Sequence, residues 1–261
     1  MTVKRRARRS RLRLFAHLAD HRRTGATDFT LALILSFVAG GINAGGFLAI
    51  GRYTSHVTGY VAEAADHVAL GNWTIVAAGL GAVAAFTVGA ALSAALTGWA
   101  RRHTRFSQYS LPLGAEAALL LVFGVVGLVA GGSPGFVLAA AYILCLLMGL
   151  QNATITTISG ARIRTTHFTG VVTDIGIELG RFAYRNLDPT VPERRAVRGD
   201  RAKLATLVSL LFAFFSGGVV GAVGFGYLGY GFTVPLALLL AACALPTALS
   251  RQRRARASRG H

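Results

Sequence analysis

Charged residues, cysteines and the usual signatures of enzymes are scarce in this sequence of 261 residues. Only 14% of the residues are charged, against about 25% in typical soluble domains. The two cysteines, Cys145 and Cys243, both lie inside apolar stretches, which excludes a disulfide framework or a cysteine metal site. There is no HExxH or CxxC spacing, no nucleophile–base pair and no Gly-rich phosphate loop. The sequence therefore predicts no metal, no cofactor and no catalytic residues.

Apolar residues are abundant and occur in long runs. They make up 53% of the chain, and the mean hydropathy is +0.54. A helix needs about 20 apolar residues to cross a bilayer. Six windows meet this requirement, at 30–51, 73–98, 112–131, 135–157, 204–224 and 230–249. The sequence therefore predicts an all-α, polytopic membrane helix bundle with six full spans.

The net charge of +17 is concentrated in four runs of Lys and Arg. These runs lie at 4–23, 101–105, 181–203 and 251–259. Each run flanks an apolar window, which is the pattern of cytoplasmic loops under the positive-inside rule. Placing all four runs inside lets the six spans alternate in direction and puts both termini in the cytoplasm. We expect the basic tails to contact anionic lipid headgroups rather than nucleic acid.

A short string of residues occurs twice, as TSHVTGYV at 54–61 and TTHFTGVV at 165–172. An Asn-Ala pair precedes each copy, at Asn43 and Asn152. Each copy follows one long span and precedes two plain spans. Two halves with three spans each must enter the membrane from opposite sides, so the arrangement is predicted to be an inverted 3+3 repeat.

The repeat defines the predicted organisation of the chain. A basic cytoplasmic tail covers 1–27, the first repeat 28–132, the inverted second repeat 133–250, and a second basic tail 251–261. The stretches that follow the two strings have only about 12 residues each and would reach about 18 Å as helices, half of a bilayer. We expect each string to break a helix and to return into the membrane as a loop and a half-helix, with Thr58 or Thr169 as the helix cap.

The two half-helices would meet near the midplane and form a site for a small solute. The candidate binding residues are Asn43, His56, Thr58, Gly59, Asn152, Thr165, His167, Thr169, Gly170 and Asp174. Helix-to-helix hydrogen bonding is an alternative role for the asparagines. Solvation in a polar loop, or a proton relay, is an alternative role for the histidines.

Other polar and aromatic residues are expected at the membrane surfaces. Among the acids, Asp174 is expected at depth, whereas Glu63 and Glu178 are expected at the headgroups. Glu116 is expected to snorkel or to pair with Arg101 or Arg102. Aromatic residues near the predicted span ends are expected to anchor the interface; they are Tyr53, Tyr60, Trp73, Trp99, Tyr109, Tyr227 and Tyr230.

The two blocks AGGINAGGFLAIGRYTSHVTGY at 39–60 and GLQNATITTISGARIRTTHFTGVVTDIG at 149–176 support a family resemblance. With them the chain resembles the YoaK family of bacterial inner-membrane proteins, over about 30–249. It departs from the family pattern at Asn43, where an acid is usual, and at Tyr60, where Asn is usual. The resemblance implies an integral protein of the bacterial plasma membrane and implies no substrate.

The repeat favours a small secondary transporter or permease with an unidentified solute. A structural or lipid-interacting membrane protein that transports nothing is the alternative. An intramembrane enzyme is a third hypothesis, for which only His and Asp would be available as an acid–base pair. The sequence leaves a homo-oligomer open.

Overall fold

The computed structural model describes residues 25–103, 109–133, 135–158, 168–184 and 197–244. Every regular element in these ranges is helical, as predicted. The elements are α1 Gly25–Ile50, α2 Val57–Ala69, α3 Trp73–Arg102, α4 Ser110–Ala130, α5 Phe136–Ile158, α6 Phe168–Ala183, α7 Arg201–Leu228, a 3₁₀ turn Gly229–Phe232, and α8 at 233–244. Almost all of the first basic tail and the whole of the second lie outside the described residues.

Within the described ranges, five helical stretches are long and apolar enough to cross a membrane. They are Phe29–Ile50, Trp73–Arg102, Ser110–Ala130, Phe136–Thr157 and Arg201–Ala244. The first four correspond to the first four predicted windows, and this pattern indicates an integral membrane protein. The fifth stretch holds the last two windows. Because the described part of α8 extends only about 18 Å, the count of six spans stays a prediction.

The fifth stretch is not a single straight helix, because the chain reverses at Gly229–Phe232. Gly41 of α1 packs against both Gly221 of α7 and Leu236 of α8. A straight helix would separate those two partners by about 22 Å, so α8 must run back alongside α7. The turn begins at Gly229, whose φ of 53° is a conformation that glycine adopts without strain.

Helices α1 and α7 lie parallel and in very close contact. A Cβ added to Gly40 would lie 2.0 Å from the carbonyl oxygen of Phe214, and one added to Gly217 would lie 1.9 Å from that of Phe37. Further along the same pair, Gly45 meets Phe225. Residue numbers therefore rise together in both helices. Such a short separation requires glycine on both sides of the contact.

Helices α3 and α5 repeat this contact with the same local geometry. A Cβ added to Gly89 would lie 1.9 Å from the carbonyl oxygen of Leu146, and one added to Gly149 would lie 1.9 Å from that of Phe86. In both pairs, each glycine faces a carbonyl oxygen of the other helix, and that oxygen belongs to the residue three positions before the other helix's glycine. The contact that α1 makes with α7 is thus matched by the contact that α5 makes with α3.

The first helices of the two predicted repeats, α1 and α5, are antiparallel. Gln151 donates a hydrogen bond from Nε2 to the carbonyl oxygen of Leu35 at 3.2 Å, whereas Gly46 packs against Leu144. Residue numbers therefore rise along α1 as they fall along α5. Helices α4 and α8 are antiparallel as well, and residues of α1, α4, α5 and α8 supply most of the buried apolar core.

We expect the Gly217→Ala substitution to lower the free energy of unfolding by about 1–3 kcal/mol, because the new methyl group forces α1 and α7 apart. Gly98→Ala in α3 is the matched control, since nothing lies within 4 Å of a Cβ at that position, and it should be neutral or slightly stabilising. Thermal unfolding of both variants in one detergent measures the difference. Equal stability of the two variants would contradict the close α1–α7 contact.

Candidate functional site

The segment that connects α1 to α2 folds back along α1. Oδ1 of Asn43 accepts hydrogen bonds from Ser55, at 3.1 Å from Oγ and at 3.4 Å from the backbone nitrogen. Asn43 lies about 10 Å before the end of α1. The reversal starts at Gly51, which has a φ of 70°. The helix is therefore broken at 51–56, where the first copy of the string begins.

Thr54 of this loop lies in the contact between the two predicted repeats. Its side chain is 0% exposed and packs against Gly46 of α1. Its carbonyl oxygen accepts a hydrogen bond from Sγ of Cys145 in α5 at 3.6 Å. A loop that belongs to the first predicted repeat is thus held by the first helix of the second predicted repeat.

Tyr60 lies in the same contact and is only 6% exposed. It forms a small buried cluster with Ala82 of α3 and Cys145 of α5. The prediction that Tyr60 anchors the protein at the headgroups is therefore wrong. The same prediction is wrong for Tyr109, which is 3% exposed. The burial of both residues depends on contacts with distant parts of the chain, which the position near a span end does not predict.

The remaining candidates of the first string lie at the surface. His56 occupies the N-cap position of α2, but its side chain makes no capping hydrogen bond. Thr58 and Gly59 are exposed in the first turn of α2. The prediction that Thr58 caps this helix is wrong, because the break comes earlier and α2 already begins at Val57.

Only part of the second string falls within the described residues. Thr165 and His167 lie outside them. Thr169 and Gly170 are exposed in the first turn of α6. The prediction that Thr169 caps this helix is therefore also wrong, because α6 begins at Phe168. The ring of Phe168 packs against that of Phe214 of α7, with the ring centres 4.1 Å apart.

The two repeated asparagines do not face each other. Asn152 is 8% exposed and follows Gln151, which contacts Leu35. Along α1, Asn43 lies between Leu35, which contacts Gln151, and Gly46, which contacts Leu144. Because α1 and α5 are antiparallel, the two asparagines stand about 10 Å apart along the helix axes. The structure therefore does not bring the two asparagines into one site.

The acids of α6 are placed differently from the expectation. The Asp174 side chain is 45% exposed and lies 3.9 Å from Nζ of Lys203. Glu178 is 0% exposed and accepts hydrogen bonds from the backbone nitrogen of Asp200 at 2.9 Å and from Arg181 at 2.8 Å. The Asp200 N–H and the nearby Lys203 and Arg181 hold the pKa of Glu178 below its ordinary value. Glu178, rather than Asp174, is the buried acid that joins α6 to the start of α7.

Arg52 and Glu63 form an ion pair that the sequence does not predict. Nη2 of Arg52 donates to Oε1 of Glu63 at 2.6 Å, and Nη1 donates to Oε2. The pair borders a surface cleft of about 340 Å³ that Tyr53, His56 and Gly59 also line. The hydrogen bonds from Arg52 hold the pKa of Glu63 below its ordinary value. The separation of eleven positions is not a recognised pairing interval, so no local sequence pattern indicates this contact.

Most of the chain matches a known protein family. Residues 31–245, well over half of the chain, match the family described as "Protein of unknown function (DUF1275)". No curated protein and no solved structure matches the chain. The matched description names no activity, so the roles of the site residues have to be argued from their geometry.

We expect Glu63→Gln to remove a pH-dependent contribution to stability. The pKa of Glu63 is lowered from its ordinary value of 4.5. The ion pair therefore stabilises the fold above about pH 4.5, and this contribution disappears as the pH falls through the lowered pKa. Because the pair is partly exposed, its contribution should stay below about 1 kcal/mol.

Thermal unfolding between acidic and neutral pH, with Asp66→Asn on the same helix as the control, measures this contribution. Between neutral and acidic pH, the wild type and Asp66→Asn should lose more stability than Glu63→Gln. The difference should equal the contribution of the ion pair. Identical pH profiles for Glu63→Gln and the wild type would contradict the ion pair.

Proposed function

Since the chain belongs to the DUF1275 family of proteins of unknown function, we propose from its geometry that it is a small secondary transporter or permease built as an inverted repeat. Its membrane would be the bacterial plasma membrane, as the resemblance to the YoaK family implies. The four basic runs favour an orientation with both termini in the cytoplasm. The solute is small and polar, and its binding site lies where the broken helix meets the other repeat.

The pairing of the helices supports the inverted repeat. Helix α1 pairs with α7 and α5 pairs with α3, so the first helix of each repeat packs on the middle helix of the other. The glycine contacts in the two pairs match, through Gly40 and Gly217 in one and Gly149 and Gly89 in the other. The antiparallel first helices favour a two-fold axis that lies in the membrane plane, as in transporters with inverted repeats.

The observation that carries the proposal is the broken helix between the two repeats. Ser55 bonds to Asn43 of α1, and Thr54 accepts a hydrogen bond from Cys145 of α5. Irregular backbone at membrane depth persists only where protein or a wet cavity surrounds it, and transporters of this class place their sites at such breaks. The amide of Asn43 and the hydroxyls of Ser55 and Thr54 offer hydrogen bonds to a polar solute. We assign Asn152 the same role for the second string.

A lipid-interacting protein is the second candidate, because one groove favours it. The groove has a volume of about 290 Å³ and lies between α2, α3 and α5. Its walls are mostly apolar, and Arg52 and Glu63 are the charged residues that line it. An acyl chain in the groove with its headgroup beside this ion pair would fit that arrangement. Such a protein would hold lipid without moving a polar solute.

Uptake into proteoliposomes tests the transporter. We expect at least one compound in a panel of small polar solutes to accumulate with the wild type. Asn43→Ala should reduce the rate about tenfold, the equivalent of one buried hydrogen bond. Ser133→Ala, in the exposed turn between α4 and α5, is the control and should transport normally. Folded protein that moves no solute in the panel, or full activity of Asn43→Ala, would contradict the transporter and leave the lipid-interacting protein as the better proposal.

A further inference from the structure

Glu116 is a buried acid that the proposed solute site does not use. It lies on α4, about 9 Å from the start of the helix, and is 0% exposed. Neither carboxyl oxygen has a hydrogen-bond partner in the described part of the chain. The expectation that Glu116 snorkels or pairs with Arg101 or Arg102 is therefore wrong: the two arginines are exposed, and no ion pair between them and Glu116 is found among the described residues.

The groups that face Glu116 come from two neighbouring helices. From α5, Thr154 places its hydroxyl beside the carboxyl group. From α8, Cys243 is the titratable neighbour. Of the other elements packed against α4 in the described ranges, the 3₁₀ turn brings Tyr230 to Gly127, about three turns away along α4. Helix α3 carries its charges at its exposed end. No described cation is therefore placed to neutralise an ionised Glu116.

The hydroxyl of Thr154 is already engaged elsewhere. It donates a hydrogen bond to the carbonyl oxygen of Leu150 at 2.8 Å and accepts one from Ser93 of α3, with an oxygen-to-oxygen distance of 2.9 Å. In the described arrangement its proton is bonded to Leu150 rather than to Glu116. An ionised carboxylate in such a site would lose its hydration and face no described cation, and it would gain a donor only if the Thr154 hydroxyl gave up its bond to Leu150, which favours the neutral acid. Ionisable residues inside membrane helices generally mark proton or ion pathways.

We propose that Glu116 is a proton-binding site and that the proton is the coupling ion of the transporter. The coupling rests on the proposed function, whereas the bound proton does not. In the described arrangement the carboxyl group keeps its O–H bond. When the repeats rearrange and water reaches the site, that bond breaks, the proton passes to water, and Thr154 turns its hydroxyl from Leu150 to the carboxylate. Proton uptake from the other side restores the neutral acid.

Infrared spectroscopy of the full chain in liposomes tests the bound proton directly. At neutral pH the wild type should give the carbonyl band of a protonated carboxylic acid. Glu116→Gln should lack this band, and Glu63→Gln, which alters an acid in an ion pair, should keep it. The neutral side chain of Gln resembles the protonated acid, so Glu116→Gln should unfold at the same temperature as the wild type. A wild type without the band at neutral pH would overturn the proposal, and loss of the band on addition of sodium would identify a sodium site instead.

Uptake measurements test the coupling. With a solute that the wild type accumulates, an inward proton gradient should raise uptake, and Glu116→Gln should exchange the solute across the membrane without gradient-driven accumulation. Gradient-driven accumulation by Glu116→Gln would overturn the coupling role. If the wild type moves no solute, the transporter proposal fails, and the infrared band still decides whether Glu116 binds a proton.

Discussion

A helix that breaks in the interior of a protein leaves backbone N–H and C=O groups that need hydrogen-bond partners. In this protein, side chains from two different helices satisfy two of the groups freed by the break after α1. Asn43 of α1 accepts from the N–H of Ser55, and Cys145 of α5 donates to the C=O of Thr54. The break is therefore stable only while α1 and α5 stay together.

The close glycine contacts determine which parts of the fold can move as units. The α1–α7 and α3–α5 pairs each join one helix from either repeat, and backbone meets backbone at Gly217 and at Gly149. Packed backbone has little freedom to deform, so each pair is expected to move as a rigid body. In the proposed transporter, a rearrangement between inward-open and outward-open states would then occur between the pairs rather than between the predicted repeats. The antiparallel α1–α5 and α4–α8 contacts are the surfaces that would shift.

The sequence predicted the helical windows well because bilayer length imposes a strong and simple pattern. Asn43, a repeated polar residue in an apolar run, contacts the broken segment through Ser55, and its role in binding a solute stays a prediction. The sequence-based predictions failed where a distant contact decides the outcome, as for the buried Glu178, which depends on the backbone of Asp200. The cap was misplaced because Gly51 already turns the chain before Thr58. The pairing of Arg52 with Glu63 depends on the loop geometry, which no local pattern encodes.

The two polar sites on α5 constrain how a solute and a proton could be coupled. Cys145, which holds the broken helix, and Thr154, beside Glu116, lie about 14 Å apart along this helix. Direct electrostatic contact over that distance is weak, so coupling would require movement of α5 itself. Gly149 lies between the two sites and fixes α5 against α3 at Gly89. Movement of the α3–α5 pair as a unit would alter both sites together, which makes this pair the mechanical link between the broken helix and the buried acid.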